Sequence, residues 1–556
     1  MGNLLGAPIT EKETHSGTTP ASSGDGVDLP YGVSSMQGWR VHMEDAHICQ
    51  PFLFAEECTG GDGGGGDVGT DEKVKGGDGK EKGEGGAAAA GATTGTGDSR
   101  MRSDSNTNAN NQWSRIRLPG HSLYAVFDGH GGTFAAEYAG RNFCRVLGRQ
   151  ANFVAYARHC AGVAAAEEDK AEKEEAGSSR MNDKDTDAAA QQKRQREHRT
   201  GLALLEAALA DAFVALDREI WLQGRGVAVE DANKPYGEDF EMHHSHGEIA
   251  GAGTGTNTPS LADLNVGVER DADPANPGET QPSASSSPEG SGYPGPARPP
   301  EHEDSGTTAV VVVLTPTSLV CANAGDSRAV YAKDGARAVP LSYDHKPDDE
   351  EEERRIREAG GYVSGGRVEG DLAVSRGLGD FRFKEEAAVM RGVRGNGDTF
   401  CGDGGADAEG GNGEGGTDDG EVGAAPVPSG PGDQKVSPVP DIVVQTRSAA
   451  RDEFLVVACD GIWDVQTNLE GVRMVAELFA EGEQDMGLLC EECLDVCLRR
   501  GSKDNMTVLV VRLEAQTIGD GGGVMARRER REAEAKAAAA GSDERKRKTQ
   551  DSPGWS

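Results

Sequence analysis

The chain has 556 residues, a formal net charge of -37, 80 Gly, 24 Pro and aromatic residues at only 5%. Such a composition cannot bury enough apolar surface throughout to offset the entropy of ordering the chain, so one folded domain interrupted by long disordered inserts is expected. The acidic balance argues against direct nucleic-acid binding, no apolar run reaches bilayer-spanning length, and 10 scattered Cys without a secretory signal read as reduced thiols of an intracellular protein, cytoplasmic or nuclear.

From the N-terminus, Met1-Gly2-Asn3-Leu4-Leu5-Gly6 half matches an acylation signal, with Gly6 where Ser or Thr is usual. Residues 1–27 are expected to be flexible. The domain is expected over 28–513, cut by low-complexity inserts at about 58–112, 161–199, 223–304 and 393–434, with a charged, disordered tail over 514–556. Within the tail, Arg545-Lys546-Arg547-Lys548 fits a nuclear-import signal and a solvated end equally. The pieces left between the inserts amount to about 270 residues, an ordinary size for one domain.

Runs dense in β-branched residues predict strands over 123–127, 309–314, 318–322, 328–332, 453–458 and 506–512. Short turns, 315–318 and 333–335, separate successive runs and predict an antiparallel meander. Leu202, Leu205, Leu209, Phe213, Leu216 and Ile220 recur every three or four residues and predict a helix with one apolar stripe. A second helix is expected over 348–359, ending at Gly360-Gly361. Cys490-Glu-Glu-Cys493 has no second ligand pair to make a zinc site and sits on an apolar helical stripe, so it reads as packing.

Acids stand at the ends of these runs. Asp128 follows the strand 123–127 and precedes Gly129-His130-Gly131-Gly132; Asp460 follows 453–458 and precedes Gly461 and Asp464; Asp504 leads into 506–512. Asp326 lies at an expected hairpin, and Glu44-Asp45 follows Trp39-Arg40. A single Asp-Gly is more often a turn than a ligand. Five acid-bearing segments at strand ends are a different matter, since converging carboxylates repel unless a cation neutralises them, and oxygen ligands suit Mg²⁺ or Mn²⁺.

Met36-Gln-Gly-Trp-Arg40-Val-His-Met-Glu44-Asp45-Ala46, Phe127-Asp128-Gly-His-Gly-Gly132, Gly325-Asp-Ser-Arg328, Asp344-His-Lys-Pro347, Leu372-Ala-Val-Ser-Arg-Gly-Leu-Gly-Asp380, Asp460-Gly-Ile-Trp-Asp464 and Asp504-Asn-Met-Thr507 occur in family order. Together they resemble the metal-dependent serine/threonine protein phosphatases of the PP2C (PPM) family, across all the folded pieces and none of the inserts. The resemblance implies an α+β fold, a four-layer α-β-β-α sandwich with two central antiparallel sheets flanked by helices. It implies two Mn²⁺ or Mg²⁺ ions, with Asp128 bridging them, the Gly129 carbonyl on one and Asp460 and Asp504 on the other. Glu44 would serve the first ion, Asp45 would orient a bridging water, and Asp326 and Asp464 would join Asp460 around a weaker third ion. Arg40 would grip the phosphate and His130 would protonate the leaving oxygen. His42 and Gly377 depart from the family's usual residues without touching the metal set.

The expected reaction is therefore direct attack of water on phosphoserine or phosphothreonine in proteins, with no phosphocysteine step. A catalytically inactive interaction module of the same fold would lack one of these acids, and all are present. Acidic inserts offer a surface for basic partner proteins, and a monomer is the family expectation.

Overall fold

A computed structural model describes residues 4–20, 28–58, 113–175, 184–229, 232, 304–391 and 430–550. The first part of the chain forms β1 (Leu4–Thr19), β2 (Leu29–Arg40), β3 (Ala46–Gln50), β4 (Leu53–Cys58), β5 (Trp113–Leu118), β6 (Ser122–Phe127) and β7 (Gly129–His130), then α1 (Phe134–Gly148), α2 (Ala151–Glu175) and α3 (Lys184–Gly224). Next come β8 (Gly306–Thr307), β9 (Ala309–Leu314), β10 (Ser318–Ala324), β11 (Arg328–Lys333) and β12 (Arg337–Pro340), followed by α4 (Glu350–Glu358), β13 (Val363–Ser364), β14 (Arg367–Val368), β15 (Leu378–Gly379) and α5 (Glu386–Val389). The C-terminal part holds β16 (Asp441–Thr446), β17 (Asp452–Ala458), α6 (Asp460–Trp463), α7 (Asn468–Ala480), α8 (Met486–Arg500), β18 (Met506–Arg512) and α9 (Gly523–Gln550).

Two antiparallel sheets form the centre. One has the order β1-β2-β18-β17-β11-β12, the other β16-β10-β9-β6-β3. Strand β6 shows how they stack. Side chains alternate across a strand, so Tyr124 and Val126 pack between the sheets with Val33, Val310 and Val456. Leu123, Ala125 and Phe127 turn the other way, onto Phe143 of α1 and Phe213 of α3. Phe143 and Phe213 meet edge to face at 5.5 Å between ring centroids, and burying each such side chain contributes about 1.5–3 kcal/mol. On the far side, α7 and α8 cover the six-stranded sheet with Val472, Leu489, Cys490, Cys493 and Cys497. The layers are α-β-β-α, the architecture expected, and the cysteines of α8 pack as apolar groups.

Local chemistry sets the helix ends. Thr467 and Glu470 close a capping box on α7, and Asp485 accepts from the N–H groups of Gly487 and Leu488 at the start of α8. The apolar stripe of α3 is buried at Leu205, Leu209, Phe213, Leu216 and Ile220.

Several expectations are corrected. The three runs after residue 308 are not one meander: β9 and β10 form a hairpin, but β11 crosses to the other sheet and pairs with β12 and β17. Asp326 thus lies at a switch between sheets rather than in a hairpin, because Gly325 at φ +118° turns the chain away. Residues 4–19, expected to be flexible, form an edge strand on β2. Backbone pairing needs no apolar pattern, and polar side chains add to it: Lys12 pairs with Asp495 at 2.7 Å and Thr14 with Ser34 at 2.9 Å. The run 161–199 has no apolar stripe but many strong helix formers, and α2 and α3 both extend into it. The tail carries α9, whose start is held by burial of Val524 and by Arg528 and Arg531 on the buried Glu492. Residues 59–112, 233–303 and 392–429, most of the other three expected inserts, lie outside the described residues.

Candidate active site

Antiparallel register gathers the acids. Ala46 opposes Phe127, Arg328 opposes Ala458, and Met506 opposes Met36. Hence the ends of β2, β6, β10 and β17 and the beginnings of β3 and β18 lie at one edge of the sandwich. These ends carry Arg40, Asp128, Asp326, Asp460, Glu44-Asp45 and Asp504. All ten residues singled out from the sequence lie in this region, drawn from segments far apart in the chain.

The pieces interlock through hydrogen bonds. The Asp460 N–H donates to Asp128 Oδ2 at 3.4 Å. Thr507 Oγ1 donates to Asp45 Oδ2 at 2.7 Å, and the Gly132 N–H donates to Glu44 Oε1 at 2.8 Å. Gly129 packs so closely that a Cβ there would collide with the Glu44 carbonyl oxygen. Arg40 Nη2 lies 2.5 Å from Asp504 Oδ2, and both side chains are part-exposed at the mouth. Lys346 Nζ lies 2.5 Å from the buried Asp326. Asp464 is exposed at the rim. His130 Nε2 lies 2.7 Å from Asp380 Oδ1.

Electrostatics makes this a strained cluster. Burial, then repulsion from Asp460, Asp45, Asp326 and Asp504, pushes the Asp128 carboxyl well above the usual carboxylate range. Asp460 is pushed up in the same way, by burial and then by Asp326, Asp504 and Asp464. Burial dominates at Asp45 and lifts it to about 7 against the opposing bond from Thr507. The Asp45 Oδ1 atom is buried with no hydrogen-bond partner among the described residues. An orphaned carboxylate oxygen among crowded carboxylates is what a divalent cation would relieve. The residues present therefore fit a hard cation. Asp45, Asp128 and Cys459 offer ligand atoms within 4.8 Å of one another, but the Cys459 sulfur already donates to the Asn505 carbonyl and accepts from the Thr507 N–H. Oxygen ligands remain.

Three groups had no role assigned from sequence. Asn505 accepts from the Glu44 N–H and donates to the carbonyls of Gln37 and His42, buckling the loop after β2 onto the start of β18. Lys346 neutralises Asp326. Asp380 holds His130. Each falls inside a quoted motif, which was the only sequence signal for it.

The fold is a two-sheet α+β domain with an acidic cleft at one edge, and residues 286–506 match the family model described as Protein phosphatase 2C. Over that stretch the chain is similar to the protein phosphatase 2C family. It is 38% identical over 208 residues to protein phosphatase ppm-1.A of Caenorhabditis elegans, covering 37% of this chain and 35% of that one. It is 37% identical over 219 residues to protein phosphatase 2C homolog 2 of Aspergillus fumigatus, covering 38% and 41%. The chain thus spans less than half the length of these relatives. It is also similar to the crystal structure of a phosphatase from a pathogenic strain of Toxoplasma gondii, with a TM-score of 0.43, 14% identity and coverage of 91% of this chain and 97% of that one. Among the described residues no helix is long and apolar enough to cross a membrane.

Proposed function

We propose that this chain is a cation-dependent phosphatase of phosphoserine and phosphothreonine in proteins. One observation carries the reading. Carboxylates from the ends of β6 and β17 and the starts of β3 and β18 converge in one cleft, where burial and crowding push Asp128, Asp460 and Asp45 above the usual carboxylate range. Glu44, Asp45, Asp128, the Gly129 carbonyl, Asp460 and Asp504 would hold two Mn²⁺ or Mg²⁺ ions, and Asp326 and Asp464 would join Asp460 around a weaker third. When bound, such ions neutralise phosphoryl oxygens and acidify water.

The chain's own groups supply the rest. Arg40, part-exposed beside Asp504, presents a planar fork that can donate to two phosphate oxygens and fix the direction of approach. His130 can give a proton to the departing Ser or Thr oxygen. Cys459, a thiol beside Asp45 and Asp128, is pushed well above its ordinary range by burial and then by Asp45, Asp128 and Asp460. It stays a thiol, so attack by water in one step is the reading that fits.

The test is hydrolysis of a phosphothreonine peptide with Mn²⁺ and then with a chelator, for the natural chain and for Asp460→Asn. The natural chain should turn over only with the ion. The variant should lose activity while its circular dichroism spectrum is retained; near-normal turnover by the variant would refute the assignment. Phosphoprotein substrates follow from this reading; basic partners for the acidic inserts and a monomeric state are further proposals outside the test.

A further inference from the structure

Asp380 is a buried carboxylate, 2% exposed, whose backbone sits at φ +54°, a left-handed conformation that residues with a side chain adopt only where the surroundings enforce it. Its Oδ1 meets His130 Nε2 at 2.7 Å, while Oδ2 has no hydrogen-bond partner among the described residues. A buried carboxylate in a strained backbone with one partner is expensive to keep unless that partner matters.

The surroundings are shaped around this pair. Strand β8 pairs with β7 on one side and β15 on the other, which sets Gly306 opposite both His130 and Gly379. A Cβ on Gly306 would overlap the Asp380 carboxylate, so only glycine leaves the space. The Asp380 N–H donates to the Ser305 carbonyl at 3.1 Å. Around it, Asp217 of α3 accepts from the Gly379 N–H and from Lys384 Nζ, each at 2.8 Å, and Lys384 also donates to the Gly377 carbonyl at 3.0 Å. Lys384 and Asp217 are buried at 0% and 3% side-chain exposure. This anchor over-determines the backbone that carries Asp380.

We infer that Asp380 is a positioning residue for His130, fixing the ring's orientation and tautomer so that Nδ1 carries the proton for the leaving oxygen. This role rests on the phosphatase reading above. In the reacting state His130 bears protons on both nitrogens, with Nε2–H donated to Asp380. As water adds to phosphorus and the P–O bond to the side chain breaks, the Nδ1 proton passes to the departing oxygen. The ring is left as the Nε2–H tautomer that Asp380 holds, and it regains a proton from the solvent that receives the one released by the attacking water. The products are the free hydroxyl and hydrogen phosphate. Asp380 here does for the imidazole what a carboxylate does in a catalytic triad.

The test compares two substrates with different leaving groups, using the full chain with Mn²⁺. A threonine alkoxide needs a proton to leave, whereas p-nitrophenolate does not. Asp380→Asn, a residue that tolerates left-handed backbone, should lower kcat for a phosphothreonine peptide about 10²-fold, and by at least about ten times more than for p-nitrophenyl phosphate. KM for the peptide should stay within about threefold, and His130→Ala should show the same preference, with the double variant no worse than His130→Ala. Asp380→Gly, at ease at positive φ, is the second variant, and the same selective loss is expected. Parallel losses on both substrates would mean a structural role and overturn the inference, as would no loss on either. A natural chain inert towards both substrates with Mn²⁺ would instead remove the phosphatase reading, and this role with it.

Discussion

At Asp128 burial acts first, and repulsion from Asp460, Asp45, Asp326 and Asp504 adds to it, so the carboxyl keeps its proton well above the usual range. Asp45 behaves alike, lifted from 3.8 to about 7. A raised acid carries no penalty below its unfolded pKa and destabilises the fold as pH climbs through the gap between the two values. Without cation, both residues therefore make the protein less stable as pH rises above about 4, Asp45 doing so up to about 7. Asp128→Asn should raise the cation-free melting temperature at pH 7 by roughly 2–4 °C, the shift a 1 kcal/mol gain gives a domain of ordinary size. It should also lose most of the stabilisation by Mn²⁺, which in the natural chain is worth about 2.7 kcal/mol at a hundredfold excess over Kd. Thermal scans with and without the ion check both; a variant melting lower in the absence of ion contradicts the account. At this scale the sequence was legible for Asp128, Asp460 and Asp504, because each adjoins an expected strand, whereas Glu44, Asp45 and Asp464 came with the motifs they sit in. It was not legible for Asp380 or Asn505, whose partners lie 250 and 461 positions away.

Elements meet the site through Glu352. This buried residue of α4 accepts from Ser375 Oγ at 2.6 Å, Arg355 at 2.7 Å and Arg376 at 2.7 Å, tying the helix to the segment that leads into Asp380. Burial works upward on its pKa, but the bond from Arg376 and the charges of Arg355 and Arg376 outweigh it and hold the carboxyl down at about 2, from 4.5. A depressed acid contributes stability that is present above its unfolded pKa and lost as pH falls through the gap. Glu352→Gln should cost about 3 kcal/mol at pH 7, the scale of breaking a buried ion pair. The deficit should shrink as pH drops from 4.5 towards 2, read by urea denaturation at each pH; a constant deficit would mean that charge is not the cause. Six of the eleven strands in the two central sheets were legible from β-branched density, including 309–314 and 506–512 at their observed bounds. The crossing of β11 to the second sheet was not, since a hairpin and a sheet switch read alike in a run-turn-run pattern. Strand β1 and helix α9 were missed because edge pairing and ion pairs, rather than an apolar stripe, hold them.

Across the whole molecule, long additions coexist with one continuous domain because of where the chain leaves it. In the β4–β5 hairpin, Glu57 opposes Ser114 and Cys58 opposes Trp113, so the stretch 59–112 starts and finishes at neighbouring rungs of one ladder. Closing such a loop grows costlier only slowly with length, each doubling adding about 0.6 kcal/mol. Replacing 59–112 by Asn-Gly should leave the melting temperature within about 3 °C and preserve Mn²⁺-dependent hydrolysis; a collapse of either would show that this stretch supports the domain. If it holds, the hairpin tip is a natural grafting point, where a fluorescent reporter or a binding peptide could be spliced in without disturbing the cleft, and where lineages could exchange cassettes freely.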